Sequence, residues 1–467
     1  ITTNSMIMKK KTLLIAFVAM FACLQSFADD RTLTLYKDVV FYDGYNSTVF
    51  DADLKDGILR HRNSLYAIRL TDDQLDWAGN RLTMNVTIGA LCDNYDRIGN
   101  INIALTEKGV TTYDPFAVPR LELGRFITPF MNKNKTPTEV PYTYELNNLP
   151  YILHDQTLRE NYDLWLEFEL FGVPYAAQEQ VAGCKGHNDV FLGTLEWVTS
   201  ANPIENTTEN VLVPIVMKKP EYIASNLNNY NEQGTDTIGK CTKTWKFTVP
   251  RNVVDGNITL ITSNHGANYD GEEYNRRLHL VYYDDQLVMT YIPGGVSCEP
   301  YRQYNTQGNG IYGWYPMSDS EWASFSNWCP GAVIPIRTLE LGAVEEGEHR
   351  IMIRVPDAVF NEQQGDIPVS MYFQGFEHES PITKINTVKP QEIQGAIKME
   401  RMGSILKFQS ESVIDELQIV SVEGKMVDHI KGNITDYDMT NLAKGTYVVA
   451  TFTADGSHVA FIVNWAR

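Results

Sequence analysis

Apolar and polar residues alternate along most of this chain. Leu82, Met84, Val86 and Ile88 interleave with Arg81, Thr83, Asn85 and Thr87. The two-residue period returns at Ile101, Ile103 and Leu105, at Trp245, Phe247 and Val249, at Ile351, Ile353 and Val355, and at Val369, Met371 and Phe373. Successive side chains of an extended backbone point to opposite faces, so this pattern predicts half-buried antiparallel strands. Clusters of Gly, Asn, Asp and Pro divide the runs, as turns require. Tyr282-Tyr283, then Asp284-Asp285-Gln286, then Leu287-Val288-Met289 predicts a hairpin. No long stretch has a convincing helical period. Many short strands with turn signals between them predict an all-β chain built from sandwiches.

The chain has 467 residues, enough for two or three cores, since a single core stops growing at roughly 250–300 residues. Three blocks are expected: 29–206, 207–385 and 386–467. A polar stretch from Asn202 to Asn210 precedes a fresh apolar start at Val211-Leu212-Val213. Pro390-Gln391 sits in a short linker before the last block. No fixed-period repeat spans the chain.

Residues 1–28 read as a secretory leader with an upstream scar. Lys9, Lys10 and Lys11 precede an apolar run from Leu13 to Cys23, and Ser26-Phe27-Ala28 offers a cleavage site. The run falls short of the about 20 residues a bilayer span needs. A lipoprotein signal at Cys23 is the alternative, and Phe21 fits that motif poorly. Removing three lysines and no acids moves the net charge from −19 to −22. Such a surface disfavours nucleic acid and anionic membranes as partners. Five cysteines then remain, with no CxxC pair to hold zinc. An exported protein keeps disulfides. Cys298 and Cys329 flank one long Tyr/Gly/Asn-rich loop and form the strongest pair; bridging it contributes roughly 3–4 kcal/mol in the loop-entropy picture.

Four segments carry candidate chemistry. Cys92-Asp93-Asn94-Tyr95-Asp96-Arg97 packs two acids, an aromatic and an Arg into a strand end. The bland alternative is an Asp/Asn turn with Asp96 paired to Arg97 at the surface. On Leu164–Phe171, one face carries Leu164, Leu166, Phe168 and Leu170, and the other Trp165, Glu167, Glu169 and Phe171. Carboxylates flanked by aromatics suit a sugar-binding groove; they also suit a solvated outer face. Gly271-Glu272-Glu273-Tyr274-Asn275-Arg276-Arg277 places adjacent acids beside Arg, either a tuned carboxyl or a plain charged loop. Asn327-Trp328-Cys329-Pro330-Gly331 closes the long loop with a Trp that stacks on a sugar or covers the disulfide. His265 reads as a hydrogen-bonding loop residue. No GxSxG, HExxH, Walker or dinucleotide motif is present, which argues against serine hydrolase, metalloprotease and nucleotide chemistry.

In this order, the segments resemble the peptide-N-glycosidase F family over about Arg81 to Phe376. The matches are Cys92–Arg97, Gly124-Arg125-Phe126-Ile127-Thr128-Pro129-Phe130, the Glu273 loop and Trp328-Cys329-Pro330-Gly331. The resemblance implies two jelly-roll sandwiches side by side with the active site in the cleft between them. It makes Asp96 the principal catalytic acid, Glu273 the second and Glu169 the third. It places Arg97, Tyr95, Tyr274, Trp328 and Phe171 as substrate contacts. Three departures stand out. The cysteines that bracket the Glu273 position in the family are Gly271 and Asn275 here, and the upstream partner expected for Cys92 is absent, leaving Cys184 as its candidate replacement. An Arg that the family places before the Trp is Phe325 or Ser326.

The last block resembles the C-terminal sorting domain of type IX secretion in Bacteroidetes, on Val420 to Val427, Leu442 to Val449 and the strand Val459 to Val463; a structural or carbohydrate-binding sandwich is the alternative. The resemblances imply a monomer exported through the periplasm, then secreted or held at the outer-membrane surface. It would use the type IX secretion machinery and act on N-linked glycoproteins or glycopeptides with no metal or organic cofactor. Two rivals are a non-catalytic N-glycan-binding protein and a copper monooxygenase on the same paired fold, the latter without an evident cluster among the nine His residues.

Overall fold

The structure, a computed structural model, describes residues 30–467 apart from 50–53, 56, 201, 203, 205–209, 218–240, 267–271, 309, 357, 359–365, 379–396, 411, 422–425, 454–457 and 466–467. The expected leader, the Pro390-Gln391 linker, Gly271 and part of the Val420–Val427 signature lie outside the described residues. Cys241 is placed as strand backbone alone.

The first sandwich contains β1 (Arg31–Tyr42), β2 (Ile58–Arg62), β3 (Leu65–Arg69), β4 (Leu82–Ala90), β5 (Ile98–Glu107), β6 (Arg120–Ile127), β7 (Glu139–Glu145), β8 (Tyr162–Leu170) and β9 (Asp189–Thr199). One sheet runs β1-β9-β4-β7 and the other β6-β5-β8-β3-β2. The predicted alternation is what joins them. Met84, Val86 and Ile88 of one sheet face Ile101, Ile103, Leu166 and Phe168 of the other in a continuous core. Each such side chain, fully buried, contributes about 1.5–3 kcal/mol.

The second half of the chain supplies β10 (Asn210–Val216), β11 (Cys241–Val249), β12 (Val253–Thr262), β13 (His279–Tyr283), β14 (Gln286–Tyr291), β15 (Val333–Ile334), β16 (Arg337–Val344), β17 (Gly347–Val355) and β18 (Val369–Phe376), all but β15 forming the second sandwich. Its sheets run β10-β18-β12-β16 and β11-β17-β13-β14, around Ile258, Leu260, Ile351, Ile353 and Phe373. The predicted hairpin is β13–β14. Asp284 and Asp285 both take positive φ, at 45° and 67°, the left-handed pair that matches a two-residue turn to strand twist.

The sandwiches interlock. β15 leaves the second half of the chain and extends the first sandwich's sheet, with Val333 opposite Phe126. Arg125, fully buried on β6, is bidentate to Glu122 at 2.8 Å through both Nε and Nη2. Its Nη1 donates across the seam to Ser263 Oγ (2.8 Å) and the Pro368 carbonyl (2.9 Å), and Ser370 donates to Glu122.

The C-terminal sandwich contains β19 (Lys398–Met402), β20 (Ile405–Gln409), β21 (Ile414–Ser421), β22 (Met426–Lys431), β23 (Asp436–Asp438), β24 (Gly445–Thr453) and β25 (His458–Trp465), in sheets β19-β20-β23 and β22-β21-β24-β25. Val420, Val448 and Ala450 pack on Leu278, Leu280 and Tyr282 of the second sandwich. The chain is all-β with two jelly rolls side by side, as expected, and a small C-terminal sandwich stands where an Ig-like one was expected.

Candidate active site

The loop between β4 and β5 carries Asp96 and is pinned from several sides. Cys92 is disulfide-bonded to Cys184. Asp93 is buried, and its carboxylate accepts the backbone N–H of Tyr95 (3.0 Å) and of Val173 (2.7 Å). The first of these is the local bond that makes Asp a turn residue. Arg97 completes the set, donating Nε to Asp93 Oδ2 at 2.7 Å and Nη2 to Oδ1 at 3.3 Å. Thr128 Oγ1 accepts from the Arg97 N–H (2.7 Å) and donates to the Tyr95 carbonyl (3.1 Å). The surface-turn alternative paired Arg97 with Asp96; the bidentate bond goes to Asp93 instead. Asp96 thereby stands at the apex of a stiff loop, half-buried as a residue, with Oδ2 shielded from water and without a hydrogen-bond partner among the described residues.

Glu273 comes from the second sandwich. Its backbone N–H donates to the Gly266 carbonyl at 3.2 Å, and its Oε2 accepts the Gly266 N–H at 3.1 Å. Its carbonyl accepts Asn327 Nδ2 (2.6 Å) and Ser326 Oγ (3.0 Å). Asn327 also bonds both backbone groups of Asn264, accepting its N–H at 2.9 Å and donating to its carbonyl at 3.2 Å. Two residues on, Cys329 is disulfide-bonded to Cys298. The chain holds the glutamate with a polar clasp anchored on this disulfide. The neighbouring Glu272 is fully buried and paired with Arg277 at 2.9 and 3.0 Å.

Asp96 and Glu273 feel each other across the seam. Burial, and after it the Glu273 charge, push the Asp96 carboxyl up to about 7, against the pull of Arg97. Burial also raises Glu273, opposed by a hydrogen bond from Tyr274 and by Arg97. Burial raises the Tyr274 hydroxyl, with the Glu273 and Asp96 charges adding to it. A carboxyl poised near neutrality serves as either proton acceptor or donor at the same pH. Tyr95 and Tyr274 flank the pair. Arg97 lies over the Tyr95 ring at 5.4 Å, and Tyr274 is 37% exposed.

Two expected site residues, Glu169 and Trp328, sit differently. The outer face of β8 is covered rather than open. Trp165 packs with Tyr113 at 5.4 Å, and Glu167 is buried against Arg120 at 2.7 Å and Tyr113 at 2.8 Å. Glu169 belongs to the same buried cluster, bonded to Arg62 at 2.7 Å and Asn100 at 3.3 Å. Its strand ends beside the Asp96 loop, where Phe171 N–H meets the Ile98 carbonyl at 3.4 Å. The reason is the segment after β5, whose Tyr113 and Val118 close over Ala67, Ala104 and Trp165. Trp328 is only 5% exposed, packed on Ile98, Ile127, Ile261 and Ile334, with Nε1 donating to the Asn264 carbonyl at 2.9 Å. It is a floor beneath Tyr274 (6.4 Å) and His265 (5.9 Å), not an open stacking surface. His265 bonds Ser263 at 2.7 Å, the role expected of it.

Sequence reading passed over Asp93 as a partner, the Asn264–Asn327 clasp, and an aromatic patch in which exposed Tyr45 and Tyr175 gather beside Phe171, with Tyr45 5.1 Å from it. Gly44 admits that approach, since a Cβ there would meet Phe171 at 2.4 Å. Among the described residues, Cys92, His187 and Asp189 form a group of ligand atoms close enough for a metal, but Cys92 is committed to its disulfide.

Fold and site together define a paired jelly-roll protein with an acid pair at the seam between its sandwiches. Comparison with known families agrees: the N-terminal domain of peptide-N-glycosidase F matches residues 32–185 and its C-terminal domain residues 229–374. The chain belongs to the peptide-N-glycosidase F family. Among solved structures it is similar to PNGF-II in two crystal forms. The P21 form has TM-score 0.53 and 17% identity, covering 78% of this chain and 68% of that one. The C2 form has TM-score 0.52 and 18% identity, covering 75% and 66%. A peptide-N(4)-(N-acetyl-β-D-glucosaminyl)asparagine amidase aligns at TM-score 0.46 and 13% identity, covering 76% of this chain and 98% of that one. No curated protein sequence matches.

Proposed function

We propose that this protein is a peptide-N-glycosidase, hydrolysing the amide between the innermost N-acetylglucosamine and asparagine of N-glycoproteins. Family membership supports the activity. The observation that carries the assignment of residues is the acid pair at the seam, Asp96 raised to about 7 beside Glu273 from the other sandwich.

In this reading, Asp96 takes a proton from the water that attacks the side-chain amide carbon and delivers it to the departing nitrogen. The carbon–nitrogen bond breaks, leaving aspartate on the peptide and a glycosylamine, which water converts to free sugar and ammonia. Each well-placed proton transfer contributes about 10²–10⁴-fold. Glu273 orients that water and a sugar hydroxyl. Arg97 acts through Asp93, holding the loop that aims Asp96 by a charge-assisted fork. Tyr95, Tyr274 and Phe171 meet the first sugars, while Glu169 and Trp328 support the cleft from behind.

The C-terminal sandwich is proposed as a type IX sorting domain, and the blocks 29–206, 207–385 and 386–467 as the units of the chain. The two disulfides fit an extracellular, oxidising environment. No described helix is long and apolar enough to cross a membrane.

Incubation with an N-glycopeptide followed by mass spectrometry tests the function. Release of the whole glycan with asparagine converted to aspartate is the expected result. Retention of one N-acetylglucosamine on the peptide would mean cleavage between sugars. Tight binding with no turnover would make the protein a glycan-binding one.

A further inference from the structure

The loop closed by Cys298–Cys329 does more than hold Glu273. It projects an arm whose tip displays Trp314 at 99% and Tyr315 at 82% exposure, the two most exposed large apolar side chains among the described residues. Water around an indole is unfavourable, so a tryptophan displayed this way marks a contact surface.

The tip is built to stay out. Arg302 donates Nη1 to the Gly313 carbonyl at 2.8 Å and Nη2 to the Tyr315 carbonyl at 3.2 Å, clamping the backbone on both sides of Trp314. Arg302 is itself fixed by a fork to Glu299, at 2.5 and 2.8 Å. Glu299 also accepts the Met317 N–H (2.7 Å) and Trp322 Nε1 (2.9 Å). A platform held by its own backbone loses little freedom on binding.

The arm is joined to the site by touching rings. Tyr274, next to Glu273, lies 5.5 Å from Phe325. Phe325 lies 5.3 Å from Trp322, and Trp322 5.1 Å from Tyr312, two residues before Trp314. Resting on the amidase reading above, we propose that Trp314 and Tyr315 form an outer subsite that stacks neutral pyranose rings of the glycan distal to the cleaved amide. An indole face suits the C–H face of a sugar. The arm's charged residues are Glu299, Arg302, Asp319 and Glu321, a net of −2 with Arg302 already paired, so acidic sugars are disfavoured. Each carbonyl flanking Trp314 already accepts a bond from Arg302, which leaves the rings rather than the backbone as the contact the tip offers.

The test compares two glycopeptides, one with an extended neutral oligosaccharide and one trimmed to two N-acetylglucosamines. In Trp314→Ala, KM for the extended substrate should rise about tenfold, with kcat held, while KM for the trimmed one stays at its wild-type value; Trp314→Phe should restore most of the loss. Equal KM values for wild type and Trp314→Ala on the extended substrate would overturn the subsite. So would an equal loss on both substrates, or a loss that follows peptide length or acidic sugars. Calorimetric titration of the free neutral oligosaccharide into Asp96→Asn, with and without Trp314→Ala, reads the subsite without turnover. If wild type releases no glycan yet this binding depends on Trp314, the subsite stands and the amidase reading falls.

Discussion

Asp96→Asn should make the protein more stable above neutral pH while abolishing its activity. The unfolded carboxyl titrates near 3.8 and the folded one at about 7. Between those values the folded state holds a proton that the unfolded state has released, so stability falls as pH rises through that window. A difference of that size is worth ~4 kcal/mol between the two protonation states. An asparagine carries no charge to desolvate, so the variant escapes the loss. At pH 4 the two proteins should unfold within a degree or two of each other. At pH 8 the variant should be more stable by up to about 4 kcal/mol, an increase in Tm of several degrees for sandwiches of this size. Differential scanning calorimetry from pH 4 to pH 8 on both proteins reads the divergence directly. Two curves that run parallel across the window would refute the claim that burial and Glu273 hold Asp96 near 7. Wild-type turnover by the variant would refute its catalytic role.

Three further outcomes follow from the same geometry. Glu273→Gln removes a charge that raises Asp96, so the limb of the kcat/KM pH profile governed by Asp96 should move to lower pH; an unmoved limb would mean that the acids are not coupled. Asn327→Leu frees the Glu273 carbonyl from its 2.6 Å bond and strands the Asn264 N–H; kcat should fall at least tenfold with retained folding by circular dichroism, whereas full kcat would show that the clasp does not position Glu273. Arg125→Met leaves Glu122 charged and buried between the sandwiches, and breaking such a pair typically costs about 3–5 kcal/mol; denaturant unfolding should show that loss, and a change below about 1 kcal/mol would mean that the seam relaxes around it.

Much of the architecture was legible because period-two alternation is a direct imprint of burial on one face. Leu82–Ile88, Ile101–Leu105 and Ile351–Val355 appear as strands with their apolar members inside. The Asp284-Asp285 turn was legible for a similar reason, since acidic residues tolerate the left-handed backbone that the hairpin needs. Asp96 and Glu273 were singled out by local composition and by family resemblance. Alternation did not say whether a second face is solvated. That depends on what another segment lays over it, which is why Trp165 and Glu167 proved buried under the stretch that carries Tyr113 and Val118.

The sequence by itself determined the period, the turns and therefore the class: the two-residue repeat gives each strand an apolar face to bury and turn residues mark its ends, while which strands pair, such as β1 with β9, was left to the tertiary structure. Tertiary structure alone decided the chemistry. The carboxyl of Asp96 is not unusual as a residue; it becomes so because folding removes water from Oδ2 and brings up Glu273, distant in sequence, from the other sandwich. Desolvation and charge proximity depend on distance in space, and a linear pattern carries no distances.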